Sequence, residues 1–239
     1  MDQERRRALG ALTHTLGIGK IDLPLLDVAL THPSYAMEHQ LRADNQRLEF
    51  LGDAVVDLLM GEYLFKAFPD DDEGKLTKMR ASLVCEDALA DAARQLGLST
   101  YLRLGRGEAA TGGAQRASNL ADAWEAMCGA IYLSCGLDVL RPVLEKYLAR
   151  TIARVKGGYY GDYKTRLQEY IQQESGHTIV YELLEETGPA HDRDFHVEVR
   201  VDDVPRGSGW GKSKKLAQRE AAMQALIAYG ALPKVDETR

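Results

Sequence analysis

Cysteine is scarce in this 239-residue chain, and the three present, Cys85, Cys128 and Cys135, form no CxxC pair. An odd number without close spacing argues against a disulfide framework or a cysteine zinc site and fits free thiols in a reducing cytoplasm. Long hydrophobic runs are missing too: nothing approaches the roughly 18 apolar residues that suggest a membrane span. The first ten residues carry Arg5, Arg6 and Arg7 but no apolar core, unlike a secretory signal. A cytoplasmic protein without a membrane partner is expected. An excess of positive charge is also lacking. Lys plus Arg number 30 against 36 Asp plus Glu, and a division before Gly158 gives 19 against 22, then 11 against 14. Neither part is a basic domain, so any affinity for nucleic acid must reside in local clusters.

Helical spacing of apolar residues is what the first two thirds do contain. It runs through 9–16, 23–30, 48–65, 76–96, 120–133 and 139–152, with breaks at Pro33, at Pro69-Asp70-Asp71-Asp72 and in the glycine-rich stretch 105–113. After Lys156-Gly157-Gly158-Tyr159-Tyr160-Gly161, which reads as a linker over 156–161, the pattern changes. A short helix at 163–173 precedes alternating segments at 178–184 and 195–201, a third short strand at 204–210, and an alanine-rich helix at 212–229. The expected architecture is an all-α domain over 1–155, then an α+β domain of order α-β-β-β-α over 162–230, and a tail at 231–239.

Chemistry concentrates in two acidic pairs. In Asn45-Gln46-Arg47-Leu48-Glu49-Phe50-Leu51-Gly52-Asp53, Glu49 and Asp53 stand four apart, stacked on one helix face. The rest of that helix is apolar nearly all round, which predicts burial. In Leu120-Ala121-Asp122-Ala123-Trp124-Glu125, Asp122 and Glu125 stand three apart in similar company. A single acidic pair is usually just a wet helix face, but apolar surroundings on both segments argue otherwise. Buried together, such carboxylates repel and shift upward in pKa unless a cation neutralises them. Two such helices side by side would converge four carboxylates into an oxygen site suited to Mg²⁺ or Mn²⁺. Neither helix supplies His or Cys at zinc spacing. Gly52, Gly129 and Ala130 would permit the close approach.

The segment 45–53 resembles the signature of the ribonuclease III family, and Leu120 to Glu125 resembles its second acidic motif. Ala29-Leu30-Thr31-His32-Pro33-Ser34-Tyr35, Glu73-Gly74-Lys75-Leu76-Thr77 and Leu104-Gly105-Arg106-Gly107-Glu108 resemble further family segments in the same order. The resemblance implies that Glu49, Asp53, Asp122 and Glu125 bind divalent metal, with Asp53 and Glu125 the catalysis-critical pair. It implies Mg²⁺ as cofactor, with Mn²⁺ able to substitute, and Phe50 as a plug into a partner subunit. Gln46 departs from the family's frequent glutamate, and an amide adds no charge to a metal site. Gln46 and Glu73 are accessory candidates only.

The second domain resembles a double-stranded RNA-binding domain over essentially all of 162–229. That likeness assigns Thr165, Gln168 and Glu169 to one minor groove, His191 to a second, and Lys212, Lys214 and Lys215 to the phosphates between them. The last helix also offers phosphate the positive end of its dipole, and Gly207, Gly209 and Gly211 would let backbone come close. Gly211-Lys212-Ser213 mimics a nucleotide-binding loop, but Arg206 stands where that loop needs glycine, so no nucleotide cofactor is expected.

Two metals roughly 4 Å apart could activate water and stabilise an in-line displacement at phosphorus. The family implies cuts in both strands of double-stranded RNA, 5′-phosphate and 3′-hydroxyl ends with short 3′ overhangs, and processing of precursors such as ribosomal RNA. Staggered cuts need two sites and this chain holds one, so a homodimer is expected. The alternative is a double-stranded RNA-binding protein with reduced or lost cleavage, which Gln46 alone favours. A carboxylate-bundle oxidase would want Glu-x-x-His motifs, and none is present.

Overall fold

The computed structural model describes residues 1–173, 176–189 and 193–233. Their contacts fall into two compact units, Met1–Ala153 and Arg154–Arg239.

The first unit is helical, and its helix starts have local chemical causes. Asp2, Asp22 and Asp72 each accept a hydrogen bond from the backbone N–H three residues on, at 2.7, 3.1 and 2.8 Å. They open the helices Gln3–Leu16, Leu23–Ala29 and Glu73–Leu83 by satisfying donors that have no partner inside the helix. Two long apolar periods prove to be broken. The period over 76–96 is divided between Glu73–Leu83 and Glu86–Leu96, with Cys85 extended between them. That over 139–152 is divided at Leu148 between Leu137–Tyr147 and Ala149–Lys156. A break of one or two residues leaves the 3.6-residue rhythm nearly in phase, so periodicity alone does not reveal it. Pro33 opens the short helix Pro33–Glu38 as its first residue, where its missing N–H costs nothing.

At the centre lie the helices Gln46–Ala67 and Ala117–Cys135. Trp124 is fully buried there, its ring edge-on to Tyr147 with centroids 5.5 Å apart. The first helix is fastened on by Asp27, which takes Arg5 at 2.7 Å and Arg103 at 3.0 Å. The expectation of all-round burial for Gln46–Ala67 needs correction. Leu48, Val55, Val56, Leu59 and Leu64 are buried, but Phe50 is 81% exposed, Leu58 58% and Phe65 71%. The chain's own elements cover only one side of this helix, and the other carries an apolar stripe to the surface.

In the second unit the helix Tyr163–Ile171 precedes three antiparallel strands in the order β1 (Ile179–Thr187), β2 (Asp194–Val201) and β3 (Val204–Gly211). The helix Lys214–Ala228 closes the unit. Asp202 and Asp203, at φ 50° and 62°, make the two-residue turn between β2 and β3, a tight hairpin geometry that aspartate tolerates. Val197, Val199 and Val201 are buried with Ala217, Ala221 and Ala225, and Tyr159 and Leu232 belong to the same core. The glycines of β3 serve this packing. A Cβ on Gly207 would lie 2.5 Å from Ala221 O, one on Gly209 2.5 Å from Glu220 Cβ, and one on Gly211 2.6 Å from Ala217 N. Strand and helix thus approach so closely that these strand positions have no room for a side chain. These glycines have a packing role that the sequence alone did not disclose. No helix among the described residues is long and apolar enough to cross a membrane.

Candidate functional site

The two acidic helices meet so closely that side chains are excluded between them. A Cβ on Gly52 would stand 1.8 Å from the Glu125 carbonyl oxygen, and one on Gly129 2.5 Å from that of Leu48. Because Gly52 adjoins Asp53 and faces the backbone of Glu125, the same contact that locks the helices sets the acids against each other. The electrostatics show the result. Burial first, then the charges of Asp53, Glu49, Asp122 and Asp57, push Glu125 up to about 8. Glu49 is raised by burial and then by Asp122, Asp44 and Asp53. Asp122 is raised by burial and by Glu86, with His32 acting in the opposite sense. The four acids that the sequence singles out therefore feel one another.

No Lys or Arg compensates them: none of the four carboxylates has a hydrogen-bond or ion-pair partner among the described residues. Among the described residues no three His, Cys, Asp or Glu are gathered to hold an ion. The donor set is all carboxylate oxygen, which suits a hard divalent cation. On chemistry the residues fit such a cation.

The accessory candidates are placed differently: Gln46 stands one turn before Glu49 on the same helix, and Glu73 on another. Gln46 is the exposed first residue of its helix, its backbone N–H bonded to Asp44 Oδ1 at 3.1 Å. Glu73 heads a separate helix, accepts from Thr77 Oγ1 at 3.0 Å, and lines a hollow of about 390 Å³ with Gly61, Leu64, Phe65, Leu76 and Arg80. Asp57 and Glu86 contribute field that the sequence reading missed. Asp57 was legible, since it continues the spacing of Glu49 and Asp53 by another four residues. Glu86 was not, because only the fold brings its helix start towards Asp122.

In the second unit, Asp162 caps Tyr163–Ile171 and holds Thr165 Oγ1 at 2.9 Å, while Gln168 and Glu169 are exposed on the same helix. Ser213 caps the last helix, its Oγ accepting from Leu216 N at 3.2 Å. The basic residues flank that start: Lys212 pairs with Asp194 at 3.0 Å, Lys214 lies over the Phe195 ring, and Lys215 is exposed. His191 lies outside the described residues.

Comparison with known proteins agrees with both units. Residues 22–152 match the ribonuclease-III-like family and residues 163–229 the double-stranded RNA binding motif. The ribonuclease 3 of Moorella thermoacetica is 44% identical over 226 residues, spanning 95% of this chain and 97% of that one. The ribonuclease 3 of Caldanaerobacter subterraneus is 48% identical over 213 residues, 88% of this chain and 93% of its own. Among solved structures, the nuclease domain of ribonuclease III from Campylobacter jejuni, described for flexibility in a region involved in dimer formation, is 40% identical. It aligns with a TM-score of 0.55 over 59% of this chain and 95% of that one. With a helical nuclease unit, a double-stranded RNA binding motif behind it and relatives alike along nearly their whole length, this chain belongs to the ribonuclease III family of endoribonucleases.

Proposed function

We propose that this chain is a homodimeric, divalent-metal-dependent endoribonuclease that hydrolyses both strands of double-stranded RNA. It leaves 5′-phosphate and 3′-hydroxyl ends with short 3′ overhangs and acts in the cytoplasm on structured precursors such as ribosomal RNA. The observation that carries this reading is the set of four uncompensated carboxylates on two interlocked helices, in a chain that also bears a double-stranded RNA binding motif. Glu49, Asp53, Asp122 and Glu125 would hold Mg²⁺, or Mn²⁺ in its place. When bound, the metal supplies Lewis-acid stabilisation of the phosphoryl oxygens and an activated water. The chain fixes the direction of the acids through the Gly52 and Gly129 contacts. Thr165, Gln168, Glu169 and His191 would address the minor grooves, with Lys212, Lys214 and Lys215 on the phosphates. Such contacts read A-form shape more than sequence. Incubating a long duplex RNA with the protein and Mg²⁺ tests the whole reading. Discrete short duplexes are expected, and a stable shifted complex without cuts would favour a binding protein that has lost turnover.

The dimer is supported by the bare apolar stripe of Phe50, Ala54, Leu58 and Phe65. Burying Phe50 against a second copy gains about 2 kcal/mol per side chain, and twofold symmetry counts it twice. Phe50→Ala is therefore expected to weaken dimerisation roughly a thousandfold and to lower cleavage with it. Sedimentation at micromolar concentration checks this, with circular dichroism showing an intact fold. A variant that remains a tight dimer would remove Phe50 from the interface.

A further inference from the structure

The stretch from Arg103 to Arg116 is a strap in the first unit, fastened along its length. His32 N–H donates to Arg103 O at 3.0 Å, and Gly105 N–H donates to Ser34 Oγ at 2.9 Å. Ser34 Oγ lies 2.8 Å from His32 Nδ1, and the His32 ring is near enough for its charge to act on Asp122. Further along, Glu108 Oε1 accepts from Nδ2 of the buried Asn119 at 2.7 Å, one turn before Asp122 on the helix Ala117–Cys135. Both attachments are therefore close to Asp122, and the strap carries its cations to the edge of the acidic site.

Two of the strap's three arginines are spent internally. Arg103 is bonded to Asp27 and lies over the Tyr35 ring, and Arg116 is bonded to Glu108 and Thr111. Arg106 is held differently. One carboxylate oxygen of Glu38 accepts the Arg106 backbone N–H at 2.8 Å, and the other lies 2.6 Å from Nε. Gly105 leaves room for this clamp, since a Cβ there would stand 2.8 Å from Ser34 O and 3.1 Å from Glu38 Oε2. The Arg106 side chain is 93% exposed, and among the described residues neither of its terminal nitrogens has a partner. An ion pair so exposed contributes little to stability. What it does is hold a long cation in one orientation while leaving the planar fork free, so less freedom is lost when the fork closes on an anion.

Phosphates that flank the one being cut approach four acids, and a cation of the chain offsets that repulsion. An arginine fork matches phosphate oxygens two at a time. We infer that Arg106, oriented by Glu38, is a substrate-positioning residue that grips a backbone phosphate of duplex RNA beside the one cleaved. The inference rests on the four acids being the cleavage centre, and it gives the nuclease unit a hold on the duplex beyond the contacts assigned to the RNA-binding unit.

The test is steady-state cleavage of a short fluorescein-labelled duplex by the full-length protein with Mg²⁺, repeated over a series of KCl concentrations. Arg106→Ala should raise KM about tenfold and leave kcat within about twofold, because a flanking contact is made equally before and during the cut. The slope of log(kcat/KM) against log[KCl] should flatten by about one unit for each subunit that engages the duplex. Lysine has a single charged head, which Glu38 would occupy, so Arg106→Lys should behave as Arg106→Ala. Arg94→Ala deletes an exposed arginine bonded to Asp91 on the helix Glu86–Leu96; it removes the same charge and should change neither quantity. An unchanged KM and slope in Arg106→Ala, a loss confined to kcat, full rescue by lysine, or an equal effect of Arg94→Ala would each overturn the inference. A duplex left uncut by the original chain would refute the nuclease reading instead. Anisotropy of the same labelled duplex, read with the same proteins, then decides for or against Arg106 by the affinity and its salt slope.

Discussion

Glu125→Gln is expected to abolish cleavage of duplex RNA and, in the absence of metal, to raise the melting temperature of the nuclease unit. In the metal-binding, catalysis-critical role proposed for Glu125, loss of the carboxylate costs about three orders of magnitude in rate or more, whereas binding of the intact duplex should barely change. The stability gain follows from the pKa. Glu125 is raised from its ordinary 4.5 to about 8 by burial and by four neighbouring acids, so the folded state holds this proton more tightly than the unfolded chain. Its contribution is therefore fully present below about 4.5 and is lost as pH rises towards about 8. Partial solvent exposure reduces what the shift is worth to about 1–2 kcal/mol. Glutamine carries no charge at any pH and removes that slope. Calorimetry of metal-free protein at pH 6 and pH 8.5 should show the original chain melting lower at the higher pH, and the variant changing much less. Mg²⁺ should then restore the original chain by mass action and do less for the variant. A variant that still cuts, or that keeps the full pH slope, would refute the assignment.

Gly52→Ala is the second large effect, and it acts on folding. The added methyl would sit 1.8 Å from the Glu125 carbonyl oxygen and 2.5 Å from its carbon, backbone atoms of a helix packed on both sides. Relief requires moving two core helices apart. We expect a cost of about 4 kcal/mol or more, which is about 10 °C or more in the first unit's transition. Mg²⁺-dependent cleavage should fall with it, since the separation that makes room also parts the acids. Gly61→Ala, nine residues along the same helix, is the control. The nearest atom to its Cβ is the side-chain Cδ of Arg80 at 3.9 Å, so the same methyl should stabilise by about 0.5–1 kcal/mol through helix propensity. Equal effects at the two positions would mean that helix approach is not what Gly52 provides.

How much of this was legible beforehand depends on the length scale of each cause. Carboxylate spacing and the apolar context of 48–59 are local, and they led to the acids that the fold brings into mutual influence. The division at Val84 and Cys85 was hidden because the apolar rhythm survives it. The packing role of Gly207, Gly209 and Gly211 was hidden because a glycine's neighbour lies in another element: Ala217 and Ala221 belong to the last helix, and only the fold lays that helix along β3. The bare side of Gln46–Ala67 was hidden for a related reason. Apolar sequence reports that a face wants cover, and does not say whether the same chain provides it.

The placement of the two tryptophans has an optical consequence. The chain has only two. Trp124 is sealed in the nuclease core beside Tyr147, while Trp210 lies half in water under a histidine ring in the RNA-binding unit. Their emission should differ in colour, the buried indole to the blue and the wet one to the red. Each unit thus carries its own lamp, and the unfolding of each can be followed separately in the unlabelled protein.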